Sequence, residues 1–320
     1  MNIYEYLGMP SRGEKVTQLV KHWDDVPMSK KAFPYYAQVK KDGVHCIVVK
    51  LDGVAKLFTR TGKPMTNVGK FEESCLPWKD GVYMAELTNS WLSLEELSGA
   101  INTSRVNDLD AFTEGAMEHC ELYLFDVLTI EEFIGGESPM TYRIRHLRFS
   151  RIPTYGANVL PYVTLYNCEE VSAFAQKCID EGEEGAVFKG HFGWLAGHKG
   201  FRQMKIVKGV SYDLICIDYE EGKGKYEGLV ANLIFDWKGG RKIKAMLGKG
   251  WTHSKAKLMF DCIQQGGSFG SDAHIPMGKM YKVTALQESS KGVLRLPKVG
   301  ELRIDKETPD VESTYKGGRN

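Results

Sequence analysis

The chain has 320 residues, 42% of them hydrophobic and 26% charged, and its formal net charge at pH 7 is +1. These values are ordinary for a soluble globular protein with enough chain for two domains, and no run of about 18 apolar residues predicts a membrane helix. The N-terminus lacks an apolar signal core, so we expect a cytoplasmic protein. The seven cysteines form no CxxC pair, which argues against a disulfide framework or a structural zinc site.

Three short strands are the first predicted elements, at residues 36–40, 44–50 and 54–60. The second is rich in β-branched residues, and Asp52-Gly53 is typical of a turn between paired strands. The segment Lys40-Lys-Asp-Gly43 therefore falls at a turn, where a side chain can face a cleft.

Two helices have recognisable start signals. Ser93 and Glu96 have the spacing of a capping box, and Asn167 is a candidate N-cap for a helix whose apolar residues recur at helical spacing as far as Gly182. Further strands are predicted at residues 122–128, 186–189 and 203–208.

After Lys208 the predicted strands become short and are separated by glycines, which favours a small β-barrel. We place a domain boundary near Ser211. Residues 211–320 carry 18 Lys and Arg against 14 Asp and Glu, a net charge of +4, which leaves −3 for residues 1–210.

The segment from Trp237 to Phe260 holds seven basic residues and no acidic one. Such a segment can follow a phosphate backbone, although a solvated basic face explains the pattern equally well. The candidate nucleic-acid contacts in it are Lys238, Arg241, Lys242 and Lys244.

Lys40 is the candidate nucleophile. A lysine amine attacks phosphorus only when it is neutral, and free lysine has a pKa of about 10.4. We therefore expect nearby cations to lower the pKa of Lys40. The KxDG motif that begins at Lys40 is weak evidence by itself.

A series of further motifs follows in order along the chain. They are Thr59-Arg60-Thr61-Gly62, Ala85-Glu86-Leu87, Tyr123-Leu-Phe125-Asp126, Glu184-Gly-Ala-Val-Phe-Lys189, Lys205-Ile-Val-Lys208, Arg295-Leu-Pro297 and Arg303-Ile-Asp305-Lys306.

With Lys40, this series resembles the covalent nucleotidyltransferase superfamily of ATP-dependent DNA ligases, RNA ligases and mRNA capping enzymes. The likeness spans about residues 36 to 306 and is strongest to the short two-domain DNA ligases of bacteriophages and large DNA viruses. It implies an α+β nucleotidyltransferase domain, an ATP-grasp-like ligase adenylation domain, at residues 1–210. An all-β OB-fold domain that binds DNA would follow at residues 211–320.

The resemblance also implies roles for single residues. Lys40 would form a lysyl-AMP intermediate, Phe125 would stack on adenine, and Glu86 would bind the ribose. Mg²⁺ or Mn²⁺ would be held by Glu184 with Glu86. The implied ATP-binding set is Gln38, Lys40, His45, Arg60, Glu86, Phe125, Glu184, Lys189, Lys205 and Lys208.

Other implied roles concern the leaving group and the DNA. Lys205 and Lys208 would neutralise the α-phosphate of ATP, and Arg60 would contact the 5′-phosphate at a nick. The remaining catalytic residues, which would orient the pyrophosphate, are Arg303, Asp305 and Lys306.

Three positions depart from the family pattern. His45 stands where an arginine is usual, and its charge would fade above about pH 6.5, so we expect an added pH dependence of activity. Gln38 replaces a glutamate near the adenine. Lys208 is one residue farther from Lys205 than usual, with Val207 in the expected position, and a β-bulge would restore the geometry.

The predicted function is that of an ATP-dependent DNA ligase that seals nicks in duplex DNA during replication, repair or recombination. We expect it to act as a monomer in the cytoplasm, which is the host cytoplasm if the source is a virus. An mRNA capping guanylyltransferase and an RNA ligase are the alternatives. Glu184 argues against the first, since capping enzymes tend to have aspartate there, and the motif at Arg303 argues against the second.

Overall fold

The computed structural model describes residues 1–151, 156–248, 250–266, 274–289 and 292–313. The chain forms two compact units, of which the first is Met1–Val207 and the second begins at Lys208. Each unit has its own apolar core. No helix in the described part of the chain is long and apolar enough to cross a membrane.

The first unit combines short helices with many strands. Its strands are β1 (Leu19–His22), β2 (Tyr35–Lys40), β3 (Val44–Leu51), β4 (Val54–Thr59), β5 (Gly81–Thr88), β6 (Glu121–Leu128), β7 (Glu137–Ser138), β8 (Asn158–Val159), β9 (Val163–Leu165), β10 (Gly185–Lys189), β11 (Trp194–Leu195) and β12 (Lys199–Val207). Its helices are α1 (Ile3–Tyr6), α2 (Gly69–Ser74), α3 (Leu94–Ala100), α4 (Ala111–Met117), α5 (Ile130–Gly135), α6 (Tyr142–His146) and α7 (Cys168–Asp180).

Two five-stranded sheets organise this unit, in the orders β1-β12-β10-β2-β9 and β4-β3-β5-β6-β8. The chain passes from the first sheet to the second between β2 and β3, so Lys40 ends a strand of one sheet close to the start of the other. The strands predicted at residues 36–40, 44–50 and 54–60 are confirmed as β2, β3 and β4.

The start signals of the two predicted helices are also confirmed. The Ser93 side chain accepts from the Glu96 amide, and the Glu96 side chain accepts from the Ser93 amide, which forms the capping box of α3. The Asn167 side chain accepts from the Glu170 amide at the start of α7. Burial of the apolar face of α7 against the first sheet stabilises that helix beyond its local propensity.

The two sheets place their apolar and polar side chains by strand alternation. In β2, Ala37 belongs to the core shared with α7, so Gln38 and Lys40 point to the opposite face of the first sheet. In β3, Cys46 belongs to the core under α2, α3 and α4, so His45 points to the other face. The face of the first sheet that carries Lys189 lies against the second sheet, as the hydrogen bond from Lys189 Nζ to Phe125 O shows.

The second unit is a closed barrel with the strand order β13-β14-β15-β17-β16. These strands are β13 (Val210–Glu221), β14 (Val230–Trp237), β15 (Arg241–Leu247), β16 (Met280–Ala285) and β17 (Lys298–Leu302), and α8 (His253–Gln264) joins β15 to β16. The predicted β-barrel is confirmed. Leu233, Phe235, Val283 and Val299 fill the interior of the closed barrel.

Gly185 allows the central strand of the first sheet to pair on both sides. It lies opposite Lys40 on β2 and opposite Val207 on β12. Its φ is +146°, and a Cβ at this position would lie 2.2 Å from the Ile206 carbonyl oxygen. Any side chain would therefore push β10 away from β12.

We expect Gly185→Ala to lower the free energy of unfolding by at least about 2 kcal/mol, because the added methyl group meets backbone atoms that cannot give way. Thermal or urea unfolding measures this change. Gly99→Ala in α3 is the matched control, since a Cβ there has open space, and it should be neutral or stabilising by up to about 1 kcal/mol. Equal stability of the two variants would contradict the account of Gly185.

Candidate active site

Lys40 ends β2, and its ammonium forms an ion pair with Glu184, which immediately precedes β10. The backbone holds the two residues together, because the Glu184 amide donates to the Lys40 carbonyl over 3.2 Å. Their side chains are 19% and 16% exposed, so the pair lies at the mouth of the cleft between the sheets. Strand pairing thus places an amine beside a carboxylate.

The pKa of Lys40 differs from the sequence expectation. Burial lowers it, but the carboxylates of Glu86 and Glu184 raise it, and the net result is a pKa above the ordinary value. The expected lowering by nearby cations is therefore wrong, because the charges of the two carboxylates outweigh the effect of burial on this ammonium.

Glu86 on β5 lies directly opposite His45 on β3. Burial raises the pKa of Glu86 to about 7, and the neighbouring carboxylate of Glu184 adds to the rise although Lys40 opposes it. The charges of Glu86, Glu184 and Lys40 thus act on one another within the same cluster. This arrangement favours the binding of a further positive charge.

His45 is held neutral over the physiological range. Burial lowers its pKa to about 3, and the cations Arg60 and Lys40 contribute in the same direction. The predicted fading of its charge above pH 6.5 is therefore not supported, since the charge is already absent at that pH. His45 serves instead as an uncharged ring whose plane meets Phe125 edge-on, with the ring centroids 5.5 Å apart.

Lys205 lies on β12 opposite Val187, which in turn lies opposite Gln38. All three side chains share the polar face of the first sheet. Burial lowers the pKa of Lys205, and the nearby ammonium of Lys40 adds to the effect. Arg60 follows β4 and is exposed, and its charge also acts on Lys205, so the structure brings it to the same cluster.

No β-bulge in the pairing of β12 with β10 compensates for the longer spacing between Lys205 and Lys208. The pairing of β10 with β12 is regular from Gln203 to Val207, so the expected bulge is wrong and Val207 occupies the row next to Gly185. Lys208 follows the strand and belongs to the second unit. The structure therefore does not place Lys208 in the row of side chains that contains Lys205.

Phe125 and Lys189 form a separate part of the cleft. Phe125 is partly buried on β6, beside His45. Lys189 is buried and donates to the Phe125 carbonyl over 2.7 Å. Burial lowers its pKa to about 7. Its ammonium lies 4.9 Å from the centroid of the Phe125 ring. The predicted ATP contact of Lys189 stays a prediction.

Within the ranges that the structure describes, the buried atoms Gln38 Oε1 and His45 Nδ1 have no hydrogen-bond partner. Gln38 Nε2 donates to the Leu160 carbonyl over 2.8 Å, which fixes the orientation of the amide. An unsatisfied buried acceptor costs free energy. Since an aromatic ring and cationic side chains lie nearby, the residues present fit a nucleotide whose base and phosphates bring matching donors and charges.

Few side chains near Lys40 could act as ligands of a metal ion. Among the residues that the structure describes, no group of three or more histidine, cysteine, aspartate or glutamate side chains converges. Glu86 and Glu184 are the two carboxylates that act most strongly on Lys40, and Asp42 acts more weakly. Two carboxylates fit Mg²⁺, which usually takes one or two of them and completes its shell with water and substrate phosphates.

In the second unit, Arg303 and Lys306 share one buried carboxylate. Arg303 Nη1 and Lys306 Nζ donate to Asp213 Oδ2 over 2.7 and 3.0 Å, and the Asp213 side chain is only 3% exposed. Arg303 also donates to both carboxylate oxygens of Asp305. Lys306 forms a second ion pair with Asp310.

Asp213 and Arg145 are two charged residues whose partners the sequence did not reveal. Asp213 lies 90 residues before Arg303, within an apolar strand, and Arg145 forms a buried bidentate pair with Asp126. The available signal was a lone carboxylate within an apolar stretch of strand, Asp126 in β6 and Asp213 in β13, because such a charge requires a partner.

The basic residues of the barrel that were predicted to contact DNA lie on β15 and the turn before it. Lys242 and Lys244 alternate with buried side chains and therefore point outward, and Arg241 is exposed. Lys238 and Lys244 pair with Glu288 and Glu220 over 2.9 and 3.1 Å. Part of this positive surface is thus already compensated by acidic neighbours.

Comparison with known families identifies the fold. Residues 17–206 match the ATP dependent DNA ligase domain, and residues 221–303 match the DNA ligase OB-like domain. The chain belongs to the ATP-dependent DNA ligases. Membership implies that the ligase uses ATP, and it confirms the predicted nucleotidyltransferase and OB-fold architecture.

Solved structures agree with this assignment of the fold. The structure described as Pmar-Lig_Pre. has a TM-score of 0.71 at 17% identity, and the match covers 91% of this ligase and 68% of that chain. A Lig E DNA ligase has a TM-score of 0.64 at 15% identity, with 90% and 98% covered. The bacteriophage T7 ATP-dependent DNA ligase in complex with ATP has a TM-score of 0.51 at 14% identity, with 92% and 100% covered. A comparison with curated protein sequences finds no match.

The raised pKa of Glu86 makes a prediction about stability. A carboxyl group whose pKa is about 7 in the folded ligase and about 4.5 in the unfolded chain opposes folding increasingly as the pH rises from about 4.5 to 7. We therefore compare the free energy of unfolding of Glu86→Gln with that of the wild type. We expect this difference to be more favourable to the variant at pH 8 than at pH 4, by on the order of 2 kcal/mol. Unfolding of both proteins across this pH range measures the difference, and a difference that is constant with pH would contradict the shift.

Proposed function

We propose that this ligase seals nicks with a 5′-phosphate and a 3′-hydroxyl in duplex DNA, through an AMP group carried covalently on Lys40. The observation that supports this most directly is the convergence of Lys40, Glu184, Glu86 and Lys205 within a domain that matches the ATP-dependent DNA ligases. A nucleophilic amine, two carboxylates and a second cation are the groups that nucleotidyl transfer to lysine requires.

In the first step Lys40 Nζ attacks the α-phosphorus of ATP, a P–N bond forms, and the bond to the pyrophosphate breaks. Lys40 must lose a proton before it attacks, and Glu86 with Glu184 opposes that loss. A bound Mg²⁺ or Mn²⁺ supplies positive charge that offsets these carboxylates and the phosphates. Lys205 also favours the neutral amine and stabilises negative charge on the α-phosphate.

The base and sugar would be held by the other residues of the cleft. Phe125 provides an aromatic face for the adenine, and Gln38 Oε1 is a free acceptor that the exocyclic amine of adenine would satisfy. His45, as a neutral ring, would accept a hydrogen bond at Nδ1, and Glu86 would bind the ribose or share the metal with Glu184. These contacts distinguish adenine from guanine at the Gln38 position.

In the later steps AMP passes to the 5′-phosphate of the nick, and the 3′-hydroxyl displaces it. We propose that Arg60 contacts that 5′-phosphate and that the basic face of β15 contacts the DNA backbone. Arg303, Asp305 and Lys306 orient the pyrophosphate, and Lys208 assists at the α-phosphate. The ligase would act as a monomer on nicked duplex DNA in the cytoplasm, within replication, repair or recombination.

We expect the purified ligase to seal a 5′-phosphorylated nick in duplex DNA with ATP and Mg²⁺, and Lys40→Ala to lose sealing completely, because no other group can carry the AMP. Lys41→Ala is the matched control, since Lys41 lies on the same turn but pairs with Glu183, and it should retain activity within about fivefold. Gel separation of sealed from nicked strands measures the outcome. Sealing of RNA nicks alone, or a requirement for GTP, would contradict the proposal.

The metal role of Glu184 has its own test. We expect Glu184→Gln to raise the Mg²⁺ concentration needed for half-maximal lysyl-AMP formation and to slow the step by on the order of 100-fold. Glu183→Gln, one residue away and paired with Lys41, is the control and should leave the Mg²⁺ dependence unchanged. If both variants respond alike to Mg²⁺, Glu184 is not a metal ligand.

A further inference from the structure

Strand β6 contains a β-bulge at Phe125. Met84 of β5 pairs with Asp126 and the next residue, Ala85, pairs with Leu124, which leaves Phe125 as the extra residue of the bulged strand. A bulge re-aims side chains and disrupts the ladder of backbone hydrogen bonds at that point. Here it turns the Phe125 ring into the cleft and leaves its carbonyl group available to a side chain.

Lys189, on β10 of the other sheet, donates a hydrogen bond to the Phe125 carbonyl oxygen. Its side chain is 3% exposed, and its Nζ lies 2.7 Å from the Phe125 carbonyl oxygen and 4.9 Å from the centroid of the Phe125 ring. On the opposite side it lies 4.1 Å from the ring centroid of Tyr142. Lys189 therefore connects β10 to the bulge of β6 at the place where the two sheets meet.

Charge neutralisation does not explain why a lysine is buried here. Asp126, the nearest anion, is 4.0 Å from the Lys189 ammonium but already accepts two hydrogen bonds of 2.8 Å from Arg145. Two cations and one anion are thus buried together, which is costly, and a burial-driven lowering of the lysine pKa agrees with that cost. The ammonium donates a hydrogen bond to the backbone at the bulge, on the Phe125 carbonyl oxygen.

We propose that Lys189 is a positioning residue that holds the Phe125 bulge, and so orients the ring on which the adenine of ATP stacks. It acts through Phe125 and does not contact the phosphates. This inference rests on the proposed function only in taking ATP as the nucleotide and Phe125 as its stacking partner.

The test is ATP binding by calorimetry in EDTA, where no covalent step occurs. Lys189→Met keeps the apolar stem but removes the donor, and we expect it to weaken ATP binding about tenfold, within the range of a lost base–aromatic stack. Binding of inorganic tripolyphosphate should not change, since it has no base. Lys50→Met is the matched control. Lys50 is also a buried lysine, but it lies near the C-terminal end of β3 and pairs with Asp80. This variant should bind ATP as the wild type does.

A double-mutant cycle separates positioning from general destabilisation. If Lys189 acts through Phe125, the double variant Lys189→Met with Phe125→Ala binds ATP as weakly as Phe125→Ala alone. Independent, additive losses, an unchanged affinity of Lys189→Met, or weaker tripolyphosphate binding would each overturn the proposal. If Lys189→Met does not fold, Lys189→Gln keeps a neutral donor and enters the same cycle.

Two measurements on the wild-type ligase keep the proposals apart: ATP binding in EDTA, and lysyl-AMP formation with Mg²⁺. A wild-type ligase that binds ATP but forms no lysyl-AMP with Mg²⁺ would overturn the proposed function, while the cycle would still decide the role of Lys189. A wild-type ligase that does not bind ATP would overturn both.

Discussion

The pairing of β10 with β2 on one side and β12 on the other is the constraint on which the candidate active site depends. It brings Lys40 beside Glu184 at one end of the sheet, and it places Lys205 on the same face. Gly185 makes this close approach possible, since any side chain there would meet the neighbouring backbone. The nucleophile and its carboxylate neighbour are therefore positioned by main-chain hydrogen bonds and not by flexible loops, which favours a preorganised site.

The electrostatics of the cleft describe a site that is incomplete without its substrate. Glu86 and Glu184 keep Lys40 protonated, and Glu86 itself is held partly neutral because burial and Glu184 oppose its charge. A protonated lysine in an ion pair has no free electron pair with which to attack an electrophile. The amine therefore becomes nucleophilic only when a bound cation offsets the charge of the carboxylates. On this account the ligand that brings the phosphates also brings the conditions for the reaction.

Much of the fold followed from local sequence signals. The strands around Lys40, the capping box at Ser93 and the Asn167 cap each depend on residues close together in the chain, where alternation and capping rules apply. The bulge at Phe125, the partner of Arg303 at Asp213, and the neutral state of His45 depend on contacts between distant segments. The prediction for the pKa of Lys40 failed for the same reason, because the carboxylate of Glu86 comes from another sheet.

The central claim is that Lys40, and no neighbouring lysine, carries AMP. Incubation of the ligase with ATP and Mg²⁺, followed by proteolysis and tandem mass spectrometry, measures which lysine holds the adduct. The account predicts AMP on Lys40 alone, with none on Lys41 or Lys205, because Lys40 is the amine that pairs with Glu184 at the end of β2. An adduct on another lysine, or no adduct from a folded ligase that binds ATP, would contradict it.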